Sequence, residues 1–126
     1  MCMQKKILIV EDDVTTSEML KMLIQKAGYD VVAEKNGLKV YEVAKEIHPD
    51  LILLDAVLPG LDGYSIQKKL YGDPETKTIP IIMMTAHAQL DQVFAGKDNV
   101  VGFIHKPFDI NELQGKIRAG TKDQLP

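Results

Sequence analysis

With 126 residues, 45% of them apolar and 26% charged, the chain has the length and balance of one folded domain, which excludes disordered, fibrous and disulfide-stapled classes. A net charge of -3 gives no support for general affinity for nucleic acid or an anionic membrane, since both need clustered Lys and Arg. The single Cys2 allows no internal disulfide and no apolar run is long enough for a signal core or a membrane span, so the expectation is one cytoplasmic domain over 1–126, with a core of about 5–118, short tails and no membrane insertion.

The first apolar run, 7–10, predicts a strand. Thr15 with Glu18 then predicts a capping box for a helix whose face carries Met19, Leu20, Leu23, Ile24 and Ala27, with Gly28 as its stop. A second strand over 31–33 leads to Asn36 and Gly37, ahead of a helical stripe of Val40, Val43, Ala44 and Ile47 that Pro49 ends. The third strand, 51–54, is followed by a helix over 64–71 bearing Ile66 and Leu70, broken at Gly72, Asp73 and Pro74. After a fourth strand over 79–84 comes a weaker helical stretch, 88–95, in which Leu90, Val93 and Phe94 are apolar and which Gly96 cuts short. A fifth strand over 100–104 precedes a last helix opened by Asp109 with Glu112 and carrying Ile110, Leu113 and Ile117; Gly115 weakens it.

The apolar runs are continuous rather than alternating, as in strands covered on both faces of a parallel sheet. Five such runs interleaved with helices predict an α/β, doubly wound, five-stranded parallel sheet with right-handed crossovers. Ligands in such sheets bind beyond the carboxyl ends of the strands. Those ends carry Glu11, Asp12 and Asp13 after strand one, Asp55 after strand three, Thr85 at strand four, and Lys106 just past strand five. Carboxylates at this end offer hard oxygen ligands for Mg2+, which keeps waters and accepts a phosphate, while Lys106 and Thr85 supply a charge and a hydroxyl to an anion. Three scattered His and one Cys make no zinc pattern. Taken singly, Glu11 and Asp12 also suit a helix cap or solvated loop, Thr85 a plain strand end and Lys106 a surface charge. Asp55 is different, because a lone carboxylate after Leu51, Ile52, Leu53 and Leu54 is poorly solvated without a cationic partner.

The stretches ILIVEDD, HPDLILLDAVLPGLDGY, DPETKTIPIIMMTAHA and FIHKPF resemble, in order and over nearly the whole chain, the signatures of response-regulator receiver domains. The resemblance implies a flavodoxin-like fold with strand order 2-1-3-4-5. It implies that Asp55 is the phosphoacceptor, that Mg2+ is bound by Asp12 as a direct ligand with Asp55 and the backbone carbonyl of Val57 as further ligands, and that Glu11 acts through water. Lys106 and Thr85 would bind the phosphoryl group. Thr85 with Phe103 would form a switch pair, against the plainer alternative that Phe103 is a core residue of strand five. His87 would modulate how water reaches the acyl phosphate, where the plainer alternative is a solvated loop histidine. Lys106-Pro107 is typically cis in the family, and Pro59-Gly60 shapes the loop after Asp55.

Partners implied by the resemblance are a sensor histidine kinase or histidine phosphotransfer protein and a downstream effector protein, with a phosphorylation-dependent dimer also allowed. No direct nucleic-acid contact and no turnover of a separate substrate are expected. The loop DPETKTIP looks more like stand-alone or signalling-enzyme-linked receivers than the DNA-binding class. The early Ala95-Gly96 and the long approach from 97 to 101 depart from the family pattern and predict a short fourth helix. A rival reading is a phosphorylation-independent interaction module with the same fold; the filled acidic, threonine and lysine positions disfavour it. A dehalogenase-type hydrolase would want a second carboxylate where Val57 stands, and a dinucleotide enzyme would want glycines where Glu11, Asp12 and Asp13 stand.

Overall fold

The structure, a computed structural model, describes residues 4–58, 63–86 and 96–121. Cys2, Pro59-Gly60, His87 and the helix expected over 88–95 lie outside the described residues. Five parallel strands, β1 (Lys6–Val10), β2 (Asp30–Glu34), β3 (Leu51–Asp55), β4 (Ile81–Thr85) and β5 (Val100–His105), form one sheet in the order β2-β1-β3-β4-β5. The described helices are α1 (Val14–Lys26), α2 (Val40–Ile47), α3 (Gly63–Tyr71) and α4 (Ile110–Thr121). The expected fold class and strand order are therefore present.

Strand side chains alternate between faces, so one apolar run feeds two cores. Leu8, Val10, Ile52, Leu54, Ile81 and Met83 meet α2 and α3 through Val40, Ala44, Ile66 and Leu70. Their neighbours Ile7, Ile9, Leu51, Leu53, Ile82, Met84 and Ile104 meet α1 and α4 through Leu20, Ile24, Leu113 and Ile117. Near-continuous burial holds for the central strands β1, β3 and β4; β2 and β5 are edge strands and are partly exposed. Burial of Leu113 and Ile117 carries α4 straight through the exposed Gly115.

Local chemistry corrects two expectations. The cap of α1 is Asp13, not Thr15: its carboxylate accepts the Thr16 N–H at 3.0 Å and the Thr16 hydroxyl as well. An acceptor one residue before the first helical turn reaches these free N–H groups, whereas Thr15 is already inside the helix. β4 begins at Ile81 rather than at 79, because Pro80 has no N–H to pair and Ile79 closes a turn on Thr76. Elsewhere the cues hold. Asn36 accepts the Leu38 N–H to open a short 3-10 turn, Gly37–Lys39, before α2, and Asp109 accepts the N–H groups of Asn111 and Glu112 at 2.8 and 3.3 Å to open α4.

The long approach to β5 is a built structure. Gly96 stands at φ +81, and Asn99, 4% exposed, exchanges hydrogen bonds with Gln67 of α3: Gln67 Nε2 donates to its Oδ1 at 2.8 Å, and its Nδ2 donates to the Gln67 carbonyl at 3.3 Å. Ile81 then pairs with Val100 but Ile82 with Gly102, so Val101 is an extra residue in β5.

Candidate phosphoacceptor site

The sheet brings the predicted residues to one end. Glu11 follows directly on β1 and its N–H donates to the Glu34 carbonyl at 3.2 Å, extending the β1–β2 pairing by one bond. Asp55 and Thr85 are the last residues of β3 and β4, and Lys106 follows β5. Its N–H donates to the Thr85 carbonyl at 2.9 Å, and the Lys106-Pro107 bond is cis. Because Thr85 pairs with His105 and Met83 with Phe103, the register of β5 on β4 sets where the lysine leaves the sheet.

The Lys106 ammonium lies 2.7 Å from Glu11 Oε1 and 3.1 Å from Asp55 Oδ2. Both carboxylates are almost fully buried, at 2% and 6% exposure, so this cation is what makes their burial tolerable. The remaining oxygens are also held: the Asp13 N–H donates to Glu11 Oε2 at 3.1 Å and the Val57 N–H to Asp55 Oδ1 at 3.0 Å. Burial alone would pull the Lys106 pKa down, but the Glu11 hydrogen bond and the charge and hydrogen bond of Asp55 outweigh it and hold the pKa above the ordinary lysine value.

Asp12 completes the cluster from the exposed side. Oxygens of Glu11, Asp12 and Asp55 lie within 4.8 Å of one another, and the Lys106 ammonium contacts two of the three carboxylates, Glu11 and Asp55. Such an excess of hard oxygen donors, open to solvent at Asp12, suits a divalent cation that keeps waters and accepts a phosphate. Thr85 is buried beside this cluster, Val57 is exposed, and Phe103 is half-buried against the core under α2 and α3. His87 is outside the described residues. The backbone N–H of Asp13 and the closely packed Gly63 also join the site; both lie in stretches that carry the resemblance, but residue type alone shows neither a backbone donor nor a through-space contact.

A buried carboxylate flanked by a lysine and an acidic pair, at the carboxyl end of a 2-1-3-4-5 sheet, is the arrangement expected of a receiver-type signalling module. A family model described as response regulator receiver domain matches residues 7–118, and the chain belongs to that family. It is 36% identical over 124 residues to the DNA-binding dual master transcriptional regulator RpaA of Synechocystis sp., covering 96% of this chain and 52% of the relative. To the phosphate regulon transcriptional regulatory protein PhoB of Pseudomonas aeruginosa it is 37% identical over 116 residues, covering 91% and 51%. The chain thus spans about half the length of the curated relatives it matches. Among solved structures it resembles the receiver domain of sensor histidine kinase PA1611 from Pseudomonas aeruginosa, described with a magnesium ion coordinated in the active site cleft, at a TM-score of 0.87 and 28% identity, over 96% of this chain and 100% of that one. The look of the loop over 73–80 therefore does not set the chain apart from DNA-binding regulators. Among the described residues no helix is long and apolar enough to cross a membrane.

Proposed function

We propose that this chain is a phosphoacceptor switch in which Asp55 takes a phosphoryl group from the phosphohistidine of a sensor histidine kinase or a histidine phosphotransfer protein. The observation that carries the reading is the Lys106 ammonium held between the buried Glu11 and Asp55 carboxylates, with Asp12 beside them. An Asp55 oxygen forms a bond to phosphorus as the bond from phosphorus to the donor imidazole nitrogen breaks. The electron pair leaves with the imidazole, and Asp55 becomes an acyl phosphate. Lys106 already touches Asp55, so it can follow the added charge, and the Thr85 hydroxyl binds a phosphoryl oxygen. Asp12, Asp55 and the Val57 carbonyl would hold Mg2+, with Glu11 acting through water, and a bound ion would supply positive charge to offset that on the transferring group.

The signal leaves through a protein-binding surface. Thr85 drawn toward the phosphoryl group makes room for Phe103, whose half-buried position in β5 lets it exchange between two packings. The recipient is a downstream effector protein, and a phosphorylation-dependent dimer is one form this recognition takes. In the same reading His87 would modulate how water reaches the acyl phosphate, the plainer alternative being a solvated loop histidine. The chain acts on itself rather than turning over a separate substrate, as one domain with a core over 5–118 in the cytoplasm. DNA binding is a property named for the full-length relatives, and the expectation of no direct nucleic-acid contact gains no support from them.

The test is acetyl phosphate with and without Mg2+, read on a phosphate-affinity gel for the wild type and Asp55→Asn. Modification of the wild type alone, abolished by chelator, is expected. Equal modification of Asp55→Asn, or none lost with chelator, overturns the reading.

A further inference from the structure

Gly63, the first residue of α3, rests directly on the acceptor backbone at the end of β3. A Cβ at this position would lie 2.9 Å from Ala56 Cα, 3.0 Å from the Ala56 carbonyl oxygen and 3.0 Å from the Asp55 carbonyl oxygen. All three are backbone atoms, so no side-chain rotation relieves the contact. The Gly63 N–H also donates to that Ala56 carbonyl at 3.1 Å, which holds the two backbones together.

We propose that Gly63 is a positioning residue for the acceptor: its bare backbone is the stop against which Asp55 and Ala56 rest. It thereby sets the distance of the Asp55 carboxylate and the Val57 carbonyl from Lys106 and Asp12. This rests on the phosphoacceptor reading given above. Restoring ordinary contact from 2.9 Å to the 3.4 Å at which it begins requires a shift of about 0.5 Å, which is about the whole tolerance of a metal or catalytic constellation. Either α3 or the acceptor segment has to yield. α3 is anchored by the buried Ile66 and Leu70, and the acceptor segment by the buried Ala56 and Leu58, by the Lys106 contact to Asp55 at 3.1 Å, and by the bonds from Ala56 N–H to the Met84 carbonyl at 2.9 Å and from Val57 N–H to Asp55 Oδ1 at 3.0 Å. Neither side has slack, so part of the displacement goes into the pocket.

The experiment compares wild type, Gly63→Ala and Ile66→Val by amide NMR, first metal-free and then titrated with Mg2+. Gly63→Ala is expected to move the metal-free amides of Asp55, Ala56 and Val57 and to weaken Mg2+ binding about tenfold, the loss typical when the support of a ligand is removed. Ile66→Val perturbs the same helix from its core face and should leave Mg2+ affinity at the wild-type value. In the wild type itself, Mg2+ should slow hydrogen exchange at the Gly63 amide, a readout that stands even if Gly63→Ala fails to fold. A Gly63→Ala protein with unmoved Asp55–Val57 amides and wild-type affinity overturns the positioning role while leaving the pocket intact. So does equal weakening by Ile66→Val, or a Gly63 amide indifferent to Mg2+. A wild type that binds no Mg2+ overturns the pocket, and the role of Gly63 with it.

Discussion

Replacing Lys106 with Met removes the cation shared by Glu11 and Asp55 and keeps most of the side chain's bulk. The lysine makes contacts of 2.7 and 3.1 Å to carboxylates whose side chains are 1% and 8% exposed, and is itself 28% exposed. Each charge-assisted bond contributes about 1.5–3 kcal/mol, and stranding a buried partner costs about 3–5 kcal/mol. The two contacts share one ammonium, and its own desolvation offsets part of the gain, so a net loss of about 3 kcal/mol is expected without metal. For a domain of this size that lowers Tm by about 10 °C. Thermal melts followed by circular dichroism in EDTA measure it. Mg2+ should recover part of the loss, since it brings positive charge to the same carboxylates. Glu11→Gln in the Lys106→Met background should cost less than in the wild type, because the two residues are coupled. A Tm change under about 2 °C together with an additive cycle would show that the lysine contributes no pairing energy, a result incompatible with the coupling expected for contacting residues.

The same lysine gives a pH signature. Its folded pKa is raised, so folding is favoured by its proton; that contribution is complete below the ordinary lysine value of 10.5 and is lost as pH rises through the folded pKa. Wild-type melts above that pH should show a loss that Lys106→Met lacks. Asn99→Ala leaves the buried Gln67 amide without its partner and should lower stability by about 1–3 kcal/mol in urea titrations, whereas Gln67→Met with Asn99→Leu should recover much of it, because replacing both partners of a buried bond can be nearly neutral. Beryllofluoride with Mg2+ should shift amides from the Asp55 pocket through 100–108, and Thr85→Ala should confine the shifts to the pocket. Shifts that never reach β5 in the wild type would rule out the Thr85–Phe103 switch.

What the sequence reveals depends on how local the cause is. The runs ILIV, LILL and IIMM are legible as central strands because burial on both faces demands unbroken apolar chemistry, and the acidic and basic residues that end them are legible because sheet topology sends strand ends to one place. The cap of α1 is ambiguous in the sequence because Asp13 and Thr15 are both good caps; only the backbone at Asp13, extended ahead of the first turn, decides between them. The start of β4 is set locally by Pro80 and the Ile79 turn, which the apolar run alone does not separate from the strand, and is completed by the Ile81 N–H donating to the Asn99 carbonyl. Gly63, the Gln67–Asn99 pair and the extra residue Val101 depend on contacts between distant segments, which composition and periodicity do not carry.

Val101 also bears on the outer margin of the sheet. Among the described residues β5 is the last strand in the order, so its far side offers N–H and C=O groups for a further strand, the usual route by which sheets continue from one molecule into the next. The extra residue throws those groups out of step between Val100 and Gly102 and turns a side chain that is 54% exposed toward solvent. A second strand laid along this margin would lose register after one or two bonds. Any association along β5 would then rest on side chains, which a change of packing can alter, rather than on the backbone, which it leaves the same.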